Sequence, residues 1–291
     1  TGRMTVGTLK KFLPIPPTTI PLVHVTDVYD ALEKGKGGGY PSDIKLLYIV
    51  GCNLLNQFLN LRKGLHALEI PEFIVVHELF LTPTARYADI LLPVAHFLER
   101  EDIGQPWGSM SAGFIHMNKV IEPVGEAKSD LAIFQELSER LGISGYNEKS
   151  DEEWLKEFVS ATPGLPDYKV WKEKTFFEVE YETPWVAFQK EIENPKQHPF
   201  PTPSGKIEIY SQKLADMKNP LIPPIPQYIE PWEGPRDPLV RKYPLQLINP
   251  HARGRANSMF DNIPKLKALN DPDVWLNPQD ARARSIQDGD R

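Results

Sequence analysis

LLYIVGCNLLNQFLN, from Leu46 to Asn60, is an apolar, β-branched run that halts at Gly51-Cys52-Asn53 and then turns polar with helical spacing. A strand that meets a glycine corner and passes into a helix is the first half of a βαβ unit, and the neighbouring sequence supplies the rest. Ile44 to Val50 (IKLLYIV), Phe73 to Leu81 (FIVVHELFL) and Ala88 to Ala95 (ADILLPVA) each read as a strand. Between the first two, Leu55, Phe58, Leu59, Leu65 and Leu68 recur at helical intervals, which predicts one crossover helix over Leu55 to Leu68. Continuous apolar strands joined in this way predict a parallel sheet covered on both faces, with ligands received beyond the carboxyl ends of the strands. Farther on, Ser129 to Leu141 (SDLAIFQELSERL) opens on an N-cap residue, turns Ile133, Phe134, Leu137 and Leu141 inward and stops at Gly142. It is expected to pack on the sheet.

The Gly51-Cys52-Asn53 corner thus falls at the carboxyl end of the first strand. A glycine there lets backbone approach a ligand closely, a helix N-terminus offers N–H groups, and Asn53 carries donors and an acceptor for phosphate or ribose. Glu78 stands at the end of the second strand, where a doubly wound fold places a carboxylate on a nucleoside: it suits a ribose hydroxyl or the N1–H and N2–H of guanine. The pattern is not G-x-G-x-x-G, so an ordinary turn and an exposed strand end remain the plain alternative.

Composition narrows the classes. The 291 residues are 41% hydrophobic and 25% charged, the range of folded globular proteins, and no apolar run approaches the ~20 residues of a membrane span. A net charge of −6 with scattered Lys and Arg carries no footprint for a nucleic-acid backbone. The single cysteine, Cys52, excludes an internal disulfide or a Cys-rich metal site made by this chain alone. His24, His66, His77, His96, His116 and His198 lie at no metal-ligand spacing and read as packing or surface residues. In LEREDIGQ (Leu98 to Gln105), Glu99, Glu101 and Asp102 read as a solvated loop rather than a catalytic carboxylate pair.

Proline, at 29 of 291 residues, is the outlier, about twice the ~5% usual. Eleven of these prolines fall between Pro195 and Pro238, in stretches such as HPFPTPSGK and NPLIPPIPQ, which predicts extended chain wrapped over a surface. Within it KIEIYSQ (Lys206 to Gln212) alternates like a strand, and Trp154, Trp171, Trp185 and Trp232 read as packing residues. After Tyr243, PLQLINP and DVWLNPQDA read as strands around a polar loop, HARGRANSMFDN. Asp288-Gly289-Asp290 is a turn signal with no returning strand after it, so the chain reads as a piece of a longer polypeptide. Three segments are expected: an α/β domain at 1–145, a Pro-rich segment at 146–242 returning to it, and the start of a β-rich domain at 243–291.

Four stretches in this order, ARYADILLP, TPSGKIEIYSQKLAD, YPLQLINPHARGRANSMFDN and WLNPQDARAR, resemble the molybdopterin oxidoreductases of the dimethyl sulfoxide reductase type, over nearly the whole chain. The resemblance implies an enzyme holding molybdopterin guanine dinucleotide and one Mo or W ion, with this chain matching the third domain and the first part of a fourth, a β-barrel. The metal ligand and an iron–sulfur cluster have no counterpart here and belong elsewhere in the full protein. It implies that Gly51 and Asn53 line the dinucleotide, although Cys52-Asn53-Leu54 departs from the commoner Gly-Asn-Pro. Glu78 matches an acidic position facing guanosine, and Thr82, Thr84 and Asp89 match a loop lining the same pocket. Turn and strand capping is the alternative for those three. His251, Arg255, Ser258 and Asn262 match the loop that meets the pterins and phosphates. The resemblance further implies two-electron oxygen-atom transfer in anaerobic respiration on a small-molecule substrate, and a position peripheral to the membrane or periplasmic. The implied partners are the rest of the catalytic subunit, an iron–sulfur electron-transfer subunit and a membrane-anchor subunit. A non-redox hydratase on the same cofactor, and a metal-free structural subunit of this fold, are the alternatives.

Overall fold

A computed structural model describes residues 21–104, 113–162, 164–178, 186–252, 254–257, 259–260, 262–269 and 273–290. The chain divides into two units, Thr1–Pro199 and Phe200–Arg291.

In the first unit α1 (Val28–Lys34) precedes β1 (Leu46–Val50), and the predicted crossover follows. It is not one helix but two, α2 (Leu54–Gln57) and α3 (Leu61–Ala67). The break has a local cause: Phe58 is extended, and Asn60, at φ 66°, caps α3 by accepting from the Lys63 N–H at 3.2 Å. Asn tolerates this left-handed backbone and caps well, so capping chemistry overrides the apolar periodicity. β2 (Phe73–Glu78) and β3 (Ile90–Pro93) complete a three-stranded sheet in the order β1-β2-β3, parallel throughout, each strand shorter than its apolar run.

The two faces of β2 are separated by its period of two. Ile74 and Val76 enter a core with Tyr29, Leu32, Ile49, Leu54, Leu55, Ala67 and Leu68. Close packing there requires Gly64 on α3, because a Cβ at that position would stand 2.7 Å from the Tyr29 ring. Tyr29 in turn donates its hydroxyl to the Leu54 carbonyl at 2.9 Å. The opposite face carries His77.

β4 (Asp102–Gly104) and β5 (Gly113–Met117) lead to α4 (Asp130–Arg140), capped by Ser129 accepting from the Ala132 N–H and closed near Gly142 at φ 69°. α4 covers the second face of the parallel sheet, where its Phe134 lies against Tyr48 of β1 and His77 of β2. Leu141, expected inside, is 65% exposed, because it lies past the last helical turn. α5 (Asp151–Ala161) and α6 (Tyr168–Lys174) follow, then β6 (Phe176–Glu178), which joins β4 and β5 in an antiparallel sheet that the sequence reading does not anticipate. Trp171 of α6 is fully buried, whereas Trp232 is 89% exposed and Trp185 lies outside the described residues. The unit ends after α7 (Gln189–Glu193).

The second unit is mostly irregular backbone around α8 (Gln212–Asp216), α9 (Pro264–Lys267) and α10 (Pro278–Ala283). KIEIYSQ, PLQLINP and DVWLNPQDA form no strands, which corrects the expectation for all three. Ile207, Ile209, Leu247, Ile248, Val274 and Trp275 within them are each more than 70% exposed. An alternating segment becomes a strand only when a neighbour accepts its N–H groups, and among the described residues none lies alongside.

Candidate functional site

The carboxyl ends of β1 and β2 bring together most of the residues singled out in the first unit. Gly51 turns the chain at φ 58°, in the left-handed region that favours glycine, and a Cβ there would meet no atom within 4 Å. Its N–H donates to the His77 carbonyl at 3.3 Å, so the corner stays attached to β2 while its outer side is open. Cys52 donates to Gln57 Oε1 at 2.9 Å. Burial pushes its thiol up, and the Glu78 carboxylate adds to the effect, as expected for neighbours on one rim.

Asn53 points its Oδ1 inward, where it accepts from the Thr84 hydroxyl at 2.8 Å and more weakly from the Thr84 N–H at 3.4 Å. The same Thr84 hydroxyl accepts from the Leu55 N–H at 3.0 Å. Fully buried Thr84 is therefore a clasp joining the two loops, and it engages Asn53 through Oδ1, which leaves the Nδ2 hydrogens available. Glu78 is half-buried; its Oε1 accepts from the Leu79 N–H at 2.8 Å, and the Thr82 hydroxyl approaches its Oε2 at 3.5 Å. Thr82 also accepts from the Ala85 N–H at 3.2 Å, which fixes the Thr82-Pro83-Thr84 turn.

Asp89 is elsewhere. It precedes β3 at the amino end of the sheet and exchanges bonds with Ile74, its Oδ2 accepting at 2.7 Å and its N–H donating at 2.9 Å. Since β3 runs parallel to β2, Asp89 and Glu78 mark opposite ends of the strands, and Asp89 serves as the capping residue of its alternative reading. In the second unit His251, Arg255 and Asn262 are exposed on a loop pinched by an antiparallel bridge between Ala256 and Met259; Ser258 lies outside the described residues.

Several polar residues read as bland have defined roles. His77 is completely buried, with Nε2 2.7 Å from the Tyr48 hydroxyl and Nδ1 2.8 Å from Asp130 Oδ1. Glu99 is no solvated loop residue: it is 7% exposed, and its carboxylate accepts from the His96 and Val124 N–H groups at 2.7 and 3.0 Å. Glu101 takes Lys172 Nζ on both oxygens, at 2.8 and 3.0 Å. His116 is buried edge-on to Trp171, and burial lowers its tendency to take a proton. For His77, Glu101 and His116 the partners lie far apart in sequence, so no local pattern flags them, whereas Glu99 closes a local capping box with His96 as well as reaching Val124.

The rim offers a carboxylate with spare acceptor capacity, an available amide NH₂ and an open glycine corner. That donor set fits a polar planar base or a ribose, and it holds no nucleophile and base in contact.

Residues 27–140 match the family model described as molybdopterin oxidoreductase, and residues 245–291 match the molydopterin dinucleotide binding domain. The chain is 33% identical over 282 residues to the dimethyl sulfoxide reductase DmsA of Escherichia coli, covering 90% of this chain and 35% of that protein. It is 34% identical over 268 residues to the protein of the same name from Haemophilus influenzae, at 86% and 33% coverage. It is also 33% identical over 296 residues to the trimethylamine-N-oxide reductase of that organism, at 94% and 36%. Among solved structures, acetylene hydratase from Pelobacter acetylenicus superposes with a TM-score of 0.70 at 24% identity, over 92% of this chain and 35% of that one. The chain spans about one third of the length of these curated relatives.

Proposed function

We propose, from the premise that this chain belongs to the molybdopterin oxidoreductase family, that it is the cofactor-holding part of a larger enzyme transferring an oxygen atom from a sulfoxide or N-oxide. The observation that carries the reading is the dinucleotide-binding match over 245–291, on a chain whose first unit sets Glu78 beside an open glycine corner. The cofactor is molybdopterin guanine dinucleotide with Mo or W, and when bound its metal supplies the two-electron chemistry.

The residues of this chain bind and orient. Gly51 leaves room for close approach, the Asn53 NH₂ donates to a ribose or phosphate oxygen, and Glu78 accepts from the N–H edge of guanine or from ribose hydroxyls. Thr82 and Thr84 hold these two side chains in place. On the second unit the Arg255 guanidinium suits a phosphate through its planar fork, and His251, Ser258 and Asn262 supply further polar groups to the pterin. An iron–sulfur electron-transfer subunit and a membrane-anchor subunit complete the assembly.

Metal and nucleotide analysis of the full-length protein tests this. Mo or W together with guanosine monophosphate released by acid is the expected result; neither metal nor guanine nucleotide, from cells supplied with both metals, overturns it. Reduction of a sulfoxide or N-oxide by reduced viologen separates the reductase from a hydratase on the same cofactor.

A further inference from the structure

A chain of three residues centred on the buried His77 adjoins the proposed cofactor rim. His77 occupies the last position but one of β2, on the sheet face away from the main core, and its ring is fully enclosed. Enclosing an imidazole costs least when both nitrogens are paired, and here both are: the Tyr48 hydroxyl of β1 at 2.7 Å and the half-exposed Asp130 carboxylate of α4 at 2.8 Å. The Tyr48, His77 and Phe134 rings also pack on one another, with centroids 5.1–5.7 Å apart. The His77 carbonyl receives the Gly51 N–H, and the next residue is Glu78. One residue is therefore hydrogen-bonded, through side chain and backbone, to β1, to α4 and to the glycine corner, and it immediately precedes Glu78 in β2.

We infer that His77, held by Tyr48 and Asp130, is the positioning residue that sets the Gly51 corner and the Glu78 carboxylate in register for the dinucleotide. The inference rests on the reading of the rim given above. The geometry favours positioning over plain filling: an apolar side chain would close the same space against Tyr48 and Phe134, whereas two oriented hydrogen bonds fix the rotation of the ring and the strand end carrying it. Asp130 is at the first position of α4, where a carboxylate is favoured by the helix N-terminus, so the anchor is fixed from its own side as well.

The test uses the full-length enzyme and reads guanine nucleotide retained after gel filtration alongside the melting temperature. Tyr48→Phe keeps the ring and removes one hydrogen bond; Asp130→Ala removes the other at a half-exposed site. Phe134→Leu loosens the ring packing and touches neither bond. Tyr48→Phe and Asp130→Ala are expected to release dinucleotide about fivefold faster. Phe134→Leu is expected to lower the melting temperature with the nucleotide retained. Retention that simply follows melting temperature across the three variants overturns the inference, since a filler residue behaves in that way. Glu78→Gln is the internal control. Loss of nucleotide in Glu78→Gln with full retention in Tyr48→Phe and Asp130→Ala overturns the positioning role alone. Full retention in Glu78→Gln overturns the reading of the rim, and the inference falls with it.

Discussion

Glu78 commits only part of its carboxylate to the protein, one oxygen to the Leu79 N–H and the other at long range to Thr82, which leaves acceptor capacity at the end of β2. Two N–H bonds from a guanine edge would use that capacity with charge assistance, and removing it leaves the donors unpaired at a cost of about 1–3 kcal/mol. Glu78→Gln places an NH₂ against a donor, whereas Glu78→Asp only shortens the reach. In the full-length enzyme the Gln variant should therefore lose more guanine nucleotide than the Asp variant, and a cytosine dinucleotide should load poorly into wild type. Equal loading of the two dinucleotides, measured by nucleotide analysis after reconstitution, assigns Glu78 to the ribose or to no role. At this scale the positions of Gly51 and Glu78 at the carboxyl ends of β1 and β2 were legible because each ends an apolar run. Asp89 was not correctly legible: an acid next to a strand reads the same at either end until the parallel register places it.

The crossover between β1 and β2 depends on a contact that no single element contains. Gly64 of α3 lies under the Tyr29 ring of α1, and a methyl group there would meet ring atoms at 2.7 Å. Gly64→Ala gains helix propensity but overpacks, and the second effect prevails at about 1–3 kcal/mol. Thermal unfolding should show a clear fall in stability; an unchanged or higher melting temperature would mean that Tyr29 moves aside freely. A second element-level prediction concerns pH. His116 of β5 is enclosed against Trp171 of α6, and the charged groups near it are Glu101, with Oε2 3.9 Å from Nε2, and Lys172. Burial depresses its pKa below the ordinary 6.5, so at pH values between the two the unfolded chain binds a proton that the native chain does not. Stability should therefore decline as pH falls below about 6.5 and level off once the folded value is passed. His116→Gln should flatten that part of the curve of melting temperature against pH, and superimposable slopes would remove His116 as the cause.

At the scale of the whole molecule, the chain spans about one third of its curated relatives, and its second unit exposes large apolar side chains such as Leu247, Ile248, Trp232 and Trp275. The isolated 291-residue chain should show no turnover of any sulfoxide or N-oxide with reduced viologen, because on the proposed reading the metal ligand lies in sequence outside it. Measurable turnover by the pure chain would refute that placement. Sequence by itself determined the parallel βαβ start, the glycine corner, the Ser129 cap and the family, since these rest on periodicity, short-range capping and motif order along the chain. The break into α2 and α3 is local as well, an Asn60 cap that the apolar periodicity masks. Tertiary structure alone decided that His77 joins Tyr48 to Asp130, that Glu99 is buried against Val124, and that KIEIYSQ and PLQLINP find no partner strand among the described residues. The physical reason is the same in each case: a hydrogen bond or a packed ring needs a partner, and here the partners are supplied, or withheld, by residues distant along the chain.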